Sequence, residues 1–192
     1  MKQTRTNIMN AVKKLIIEKG YSTMTTKDIA KEAQVNETTI FRQFGSKKDL
    51  LLVTLKEADW IPMIDSTFFE QLIGELEADL ASIMDHYFQQ VTPDIVRFSL
   101  GLRAQEIYQE TLPYVQKIPT AYTAFLESYL SKMKEKGGND TSDPKETAQV
   151  IFSAMVGFAF LQAFSTNEQF AREKKRFIAQ TARLFAAGLK NQ

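Results

Sequence analysis

The segment 25–47 constrains the fold of this chain most strongly, because its residues predict two short helices joined by a tight turn. Thr25 and Asn36 are side chains that commonly cap helix N-termini, and each stands directly before a helical pattern. In the second helix Ile40 and Phe44 are four residues apart and therefore share one face. That face is predicted to pack on the first helix, which gives a helix-turn-helix.

The opposite face of the second helix carries the mixed chemistry that reads DNA. Thr38, Phe41, Arg42 and Gln43 cannot share the buried face, so they are predicted to point outward. A cation, an amide, a hydroxyl and a ring match base edges and phosphates. We therefore interpret this helix as a recognition helix. The alternative from spacing alone is a helical hairpin with an ordinary solvated face.

The charge is divided unequally along the chain, although its net value is only +1. Residues 1–56 hold 11 Lys and Arg against 5 Asp and Glu, a balance of +6, and residues 57–192 hold 13 against 18, a balance of −5. The basic part coincides with the predicted helix-turn-helix. This segregation is typical of a DNA-binding module joined to a domain that does not bind DNA.

Hydrophobic periodicity predicts an all-α chain, because helical spacing recurs throughout and no run alternates with period two. Residues 4–19 form an amphipathic helix that Gly20 should end. Together with the two motif helices this gives a three-helix DNA-binding head, followed by a helical bundle and about nine helices in all. The further predicted helices cover about 47–61, 68–90, 94–110, 120–136, 144–165 and 168–189.

About 50 N-terminal residues resemble the DNA-binding domain of the tetracycline-repressor-like (TetR) family of transcriptional regulators. The residues that carry the resemblance are Gly20-Tyr21, Thr25-Thr26, Ile29-Ala30, Ala33, Val35, Thr39-Ile40-Phe41, Phe44-Gly45-Ser46-Lys47 and Leu50. The resemblance implies that Thr26 and Lys47 contact phosphate. It also implies that Thr38, Arg42 and Gln43 face the groove. The complete set predicted to bind DNA is Thr25, Thr26, Lys27, Thr38, Phe41, Arg42, Gln43 and Lys47.

Three residues depart from the family pattern. Gln34 stands where a turn Gly is usual, so we expect a non-glycine residue with positive φ. Phe41 replaces a usual Tyr and lacks its hydroxyl, although the ring can press on sugar or on a thymine methyl. Gln43 replaces a usual His and could pair with adenine. These departures change details of the operator and leave the motif intact.

The last two predicted helices are the expected dimer surface. The run 151–161 is apolar nearly all round and needs cover on every side. Two such helices meeting their copies would form a four-helix interface, and a dimer would place two recognition helices about 34 Å apart. The alternative is a core helix in a monomer. The predicted interface residues are Phe152, Met155, Phe158, Phe177 and Leu184.

The region 60–130 is rich in aromatic residues, which suit both a core and the walls of a small-molecule pocket. In the family this region encloses an inducer. Polar groups on helices with several apolar faces are expected to be partly buried, so Arg103 and Glu106 are candidates for a buried pair or for contact with a charged ligand. The residues predicted to line the pocket are Trp60, Met63, His86, Phe98, Arg103, Glu106, Tyr122 and Phe125.

We therefore expect residues 1–46 to bind DNA and residues 47–192 to bind an effector and dimerise. The predicted function is that of a cytoplasmic, ligand-responsive transcriptional repressor, which binds a two-fold operator as a homodimer and is released by a small apolar or amphipathic effector. A DNA-binding protein controlled by a protein partner is the alternative. With no Cys and a single His, no Cys-His pair or multi-His metal site can be drawn, so we predict no enzyme, metal or cofactor. No membrane span or signal peptide is expected.

Overall fold

A computed structural model of the chain describes residues 2–57, 64, 66–137, 143–165 and 169–190. Across these ranges the chain is all α, with no strand, which confirms the predicted fold class. They contain ten α-helices and one 3₁₀ helix, against about nine expected. The helices are α1 (Lys2–Thr23), α2 (Thr26–Glu32), α3 (Glu37–Phe44), α4 (Lys47–Glu57), the 3₁₀ helix (Ser66–Gln71), α5 (Leu76–Gln90), α6 (Pro93–Gly101), α7 (Tyr108–Val115), α8 (Lys117–Glu135), α9 (Pro144–Phe164) and α10 (Gln169–Lys190).

The chain divides into two compact units. The first, here called the head unit, comprises Met1–Ile61 and Asp94–Lys117, and the second, the bundle unit, comprises Pro62–Pro93 and Ile118–Gln192. Packing thus groups α4, α7 and most of α6 with the helix-turn-helix. The sequence analysis assigned all of 47–192 to the other domain, and that functional division remains a prediction.

The core of the head unit forms around α1. Its apolar stripe, represented by Ile8, Val12 and Ile16, is buried together with Ile29 of α2 and Ile40 of α3. The stripe recurs at three and four residues, which places it on one side of the helix. At Gly20 the backbone takes φ 75°, which kinks the end of α1 at the position where the sequence predicted a stop.

The predicted helix 94–110 is wrong, because the chain breaks between Gly101 and Tyr108. Gly101 lies so close to α1 that a Cβ there would be 2.5 Å from the Ile16 side chain. The turn that follows buries Leu102 and Ile107 in the head unit, and the Thr111 hydroxyl donates to the Leu102 carbonyl at 2.6 Å. Burial of Leu102 and Ile107 removes both side chains from water and stabilises this turn.

The predicted helix 68–90 is also interrupted, between the 3₁₀ helix and α5. Gly74 has φ 87°, a conformation that suits glycine. The Asp79 carboxylate accepts hydrogen bonds from the backbone N–H groups of Ile73 and Gly74, at 2.8 and 2.9 Å. It also accepts from the Tyr129 hydroxyl of α8 at 2.9 Å. Asp79 is 1% exposed, so this buried carboxylate holds the turn, α5 and α8 together.

In the bundle unit α5 packs against α9 and α10. The core between them is aromatic, with the Tyr87 ring in edge contact with Tyr122 and Phe152, and Phe88 in edge contact with Phe158. Helix α9 is long and apolar enough to cross a membrane, the only such helix among the described residues, and 39% of its most apolar 18-residue stretch is buried within the chain. Length and composition alone do not distinguish a membrane span from the core helix of a soluble protein.

Candidate nucleic-acid interface

Short local contacts fix the start of α2. The Thr25 hydroxyl accepts from the Asp28 backbone N–H at 3.1 Å, and the Asp28 carboxylate accepts from the Thr25 backbone N–H at 2.9 Å. This reciprocal pair is a capping box. The Lys19 ammonium, 2.7 Å from the same carboxylate, and then the Thr25 bonds hold the pKa of Asp28 well below its usual range. The cap is therefore intact at neutral pH and weakens only in strong acid.

The turn between α2 and α3 confirms the strain expected at Gln34, which has φ 54°. The Val35 backbone N–H donates to the Ala30 carbonyl at 3.0 Å and closes the turn. Asn36 caps α3, since its side-chain oxygen accepts from both the backbone N–H and the hydroxyl of Thr38, each at 3.1 Å. The entry of the chain into α3 is thus set by hydrogen bonds within a few residues.

Helix α3 has one buried face and one exposed face. Ile40 is 0% exposed and Phe44 is 7% exposed, so both anchor the helix in the head unit. On the other side Thr38, Phe41 and Arg42 are exposed. Gln43 is half-buried beside them. The structure therefore places the predicted reading residues on a common solvent side of a firmly seated helix.

Residues around α3 divide into exposed groups and groups already engaged. Lys27 is exposed, whereas the Thr26 hydroxyl donates to the Glu37 carboxylate. Thr25 is exposed as well, but its hydroxyl is bonded to Asp28 in the capping box. The Lys47 ammonium donates to the carbonyls of Tyr21 and Met24, at 3.1 and 2.9 Å, and lies 4.1 Å from the centre of the Tyr21 ring. Burial lowers the pKa of Lys47. Lys47 thus ties the end of α1 to the start of α4, a structural role that the sequence analysis missed.

Several cations of the head unit are paired with carboxylates. Arg5 lies 2.6 Å from Glu57, and Lys48 lies 2.9 Å from Glu110 of α7. Within the described part of the chain no carboxylate lies within 4 Å of the Arg42 guanidinium. Arg42 is therefore the cation on the exposed face of α3 that is available to a polyanion.

Comparison with known proteins agrees with this geometry. Residues 8–54 match the model of the bacterial regulatory proteins of the TetR family. The matched range contains α2, the turn and α3. Residues 8–54 therefore form a DNA-binding domain of the kind found in the TetR family of bacterial regulatory proteins. With the helix-turn-helix of that family, this part of the chain is a DNA-binding module.

Regulators similar to this chain match it over different lengths. The helix-turn-helix-type transcriptional regulator YvkB of Bacillus subtilis is 28% identical over 191 residues, which cover 98% of each chain. The regulator HbdR of Aromatoleum is 43% identical over 56 residues, 29% of this chain and 24% of HbdR. A TetR-family regulator from Mesorhizobium loti has the same fold, with TM-score 0.70, 17% identity and 98% coverage of each chain. FadR from Bacillus subtilis, solved with stearoyl-CoA, has TM-score 0.67 and 20% identity over 96% of this chain and 98% of FadR.

The described residues that were predicted to bind an effector are divided between the two units. Trp60 and Met63 lie outside the described residues. Phe98 is buried in the core of the head unit, at 3% exposure. Arg103 and Glu106 are exposed in the turn between α6 and α7, so the expected buried pair is wrong. They are exposed because the turn buries Leu102 and Ile107 instead.

The other three predicted effector residues lie together in the bundle unit. His86 of α5 and Tyr122 of α8 are joined by a hydrogen bond of 3.0 Å between Nδ1 and the hydroxyl. The Phe68 ring lies 4.5 Å from the His86 ring and 5.8 Å from the Phe125 ring, measured between ring centroids. Burial, and then the neighbouring Tyr87, raise the pKa of Tyr122 well above its usual value, so its phenol is neutral. The His86 imidazole is thus half-buried among aromatic rings.

Helix α9 has two apolar faces, and only one belongs to the bundle core. Phe152, Met155 and Phe158, predicted for the dimer interface, lie on the inward face and are at most 7% exposed within one chain. Phe177 is half-buried, its ring stacked on Phe158 with centroids 4.1 Å apart, whereas Leu184 is 70% exposed. The outward face, which the sequence analysis did not single out, carries Val150, Val156, Phe160, Leu161 and Phe164, all at least 40% exposed.

Proposed function

We propose that this chain is a homodimeric, ligand-responsive repressor of the TetR family that acts in the cytoplasm. The observation that carries the proposal is the exposed face of α3, with Arg42 at its centre, held in place by the buried Ile40 and Phe44. In a dimer two such helices would read the halves of a two-fold operator about one helical turn apart. A small apolar or amphipathic effector would release the dimer from DNA.

Arg42→Ala is expected to change base preference at one position of each operator half-site. Arg42 is exposed and has no described carboxylate partner, so its bidentate N–H groups are available to a guanine. The expected loss of discrimination at that position is about 1–3 kcal/mol. The measurement is binding to an operator selected from random duplexes and to all its single-base variants.

Lys27→Ala is the matched control for Arg42→Ala, since Lys27 is an exposed cation of α2. It should weaken binding to all sequences alike and lower the slope of log affinity against log salt by about 1. Equal losses at every base pair for both variants would contradict the assignment of Arg42 to base reading. Lys47→Ala is a poorer control because Lys47 also holds the end of α1.

The proposed effector site is the aromatic cluster around His86 and Tyr122 in the bundle unit. Apolar walls with a few polar groups suit an amphipathic ligand, and the imidazole would contact its polar end. The FadR structure with stearoyl-CoA supports a long apolar chain as one effector class for this fold. The ligand can shift the protein only as far as its affinities for the DNA-bound and free states differ, typically by about 1–3 kcal/mol.

An acyl-chain effector is expected to raise the melting temperature of the free protein. At a concentration about 100 times its Kd, a ligand adds about 2.7 kcal/mol, which corresponds to about 5–10 °C for a chain of this size. Long-chain fatty acids and acyl-CoA thioesters are the probes in a thermal-shift assay. His86→Ala should reduce the rise, and Arg103→Ala, an exposed residue of the head unit, should not.

Close packing of Tyr122, which is 0% exposed, also suits the alternative of a regulator controlled by a protein partner. In that case no probe would raise the melting temperature, and none would release the operator. The two functions are therefore separated by the same assay.

The proposed dimer surface is the outward face of α9 together with Leu184 of α10. Val156, Gly157, Phe160 and Leu161 line a shallow groove of about 550 Å³ on this face. Large contiguous apolar surface is uncommon on a monomer and marks an interaction site. A second copy of the same surface would cover it through a two-fold axis.

A further inference from the structure

The solvent side of α3, formed by Thr38, Phe41, Arg42 and Gln43, is here called the reading face. It carries one aromatic ring that is not buried in the head unit. Phe41 is 49% exposed. Among the described residues of the head unit, the exposed large hydrophobic side chains are Phe41 and Leu100, and Leu100 is less exposed, at 36%. An exposed ring loses the stabilisation that burial would give, about 25 cal/mol per Å² of apolar surface. An apolar partner on the DNA would recover that loss.

Thr38, one turn before Phe41 on the same side of α3, has also lost its polar donor to the fold. Its hydroxyl is 3.1 Å from the Asn36 side-chain oxygen, the same oxygen that caps the helix. A carboxamide oxygen can only accept, so the threonine hydroxyl donates to it. Thr38 is exposed, and it offers an outside partner its methyl and the lone pairs of its hydroxyl oxygen, but no donor.

Thr38 and Phe41 therefore form an apolar pair, three residues apart, on the N-terminal part of the reading face. In the major groove of B-DNA the distinctive apolar group is the C5-methyl of thymine, since the other edge groups are donors or acceptors. Arg42 and Gln43, which follow, carry the donors suited to purines. The reading face is thus apolar in its N-terminal part and polar in its C-terminal part.

We propose that the Thr38–Phe41 pair reads thymine C5-methyl groups, so that each operator half-site requires thymine at one or two fixed positions. This inference rests on the proposed DNA-binding function and adds the chemical group that is recognised. The ring would recognise the methyl group itself and none of the hydrogen-bonding groups of the base pair. Removal of the methyl alone should therefore weaken binding while all base-pair hydrogen bonds stay in place.

The test replaces thymine by deoxyuridine, one position at a time and in both half-sites, in an operator selected from random duplexes. Deoxyuridine lacks only the methyl. At one or two positions the wild-type affinity should fall by about fourfold per methyl contact, the factor that corresponds to one buried CH₂ group. Elsewhere the change should stay below twofold.

Protein variants assign the effect to the two side chains. Phe41→Ala should bind the thymine operator more weakly and show no further loss with deoxyuridine. Thr38→Val keeps the methyl and should keep the deoxyuridine loss, whereas Thr38→Ser keeps the hydroxyl bond to Asn36 and should lose the effect at its position. Arg42→Ala is the control and should retain the full deoxyuridine loss.

Either of two results would overturn this inference and leave the proposed DNA-binding function standing. One is a selected operator that tolerates deoxyuridine at every position, and the other is a Phe41→Ala variant with the wild-type deoxyuridine loss. In either case the ring would not read thymine methyl groups, and base reading by Arg42 would still stand. Failure to select any duplex would overturn the proposed DNA-binding function and this inference together.

Discussion

Asp79→Ala is expected to lower the free energy of unfolding by about 3 kcal/mol. Asp79 accepts three hydrogen bonds in a buried position, from two backbone N–H groups and the Tyr129 hydroxyl. Alanine would leave all three donors without this acceptor, and each unsatisfied buried group costs about 1–3 kcal/mol. Partial access of water to the backbone groups limits the sum. Urea denaturation, followed by helical circular dichroism, measures the loss.

Tyr129→Phe is the matched control, because it removes one of the three donors and keeps the ring. Its expected loss is smaller, about 1 kcal/mol, since one hydrogen bond disappears and the carboxylate keeps two. The aromatic packing around position 129 should be unchanged. A loss below about 1 kcal/mol for Asp79→Ala would show that the turn after the 3₁₀ helix does not depend on this carboxylate.

Phe160→Glu is expected to dissociate the proposed dimer, raising its dissociation constant by about 100-fold or more. Phe160 is 47% exposed on the outward face of α9, so the substitution places a charge where the partner's apolar surface would lie. In a two-fold interface the change occurs twice, and the two carboxylates would be buried unpaired. Sedimentation velocity over a concentration series measures the shift, and operator affinity should fall with it.

Lys145→Glu is the control on the same helix, since Lys145 is exposed at the start of α9 and lies apart from the apolar groove. It introduces the same side chain and should leave the dimer intact. Phe158→Glu would be uninformative, because Phe158 is buried in the bundle core and the substitution would unfold the protein. A Phe160→Glu protein that sediments as the wild-type dimer would contradict the proposed interface.

The helix-turn-helix could be predicted closely because short-range contacts determine it. The caps at Thr25 and Asn36 bond to backbone groups two or three residues away, and the spacing of Ile40 and Phe44 sets the buried face of α3. The positive φ of Gln34 was expected from the family resemblance, because a turn Gly is usual at this position. In this segment sequence neighbours are also spatial neighbours.

Other features depend on contacts distant in sequence, which periodicity does not reveal. The break after Gly101 exists because Leu102 and Ile107 pack in the core built by α1. The break before α5 exists because Asp79 and Tyr129, 50 residues apart, meet across the bundle. Helix α9 is apolar nearly all round, so its sequence could not tell the inward Phe158 from the outward Phe160.

The most direct test of DNA reading by α3 uses a cleaving probe on that helix. The chain has no Cys, so Arg42→Cys provides a unique thiol for an iron chelate that cuts nearby DNA. With saturating protein to offset the lost cation, we predict two clusters of cuts, one in each half-site and about 34 Å apart. Glu70→Cys, at an exposed position of the bundle unit, should cut nowhere in the operator. No cleavage from position 42 on a bound operator, or cleavage from position 70 instead, would contradict the account.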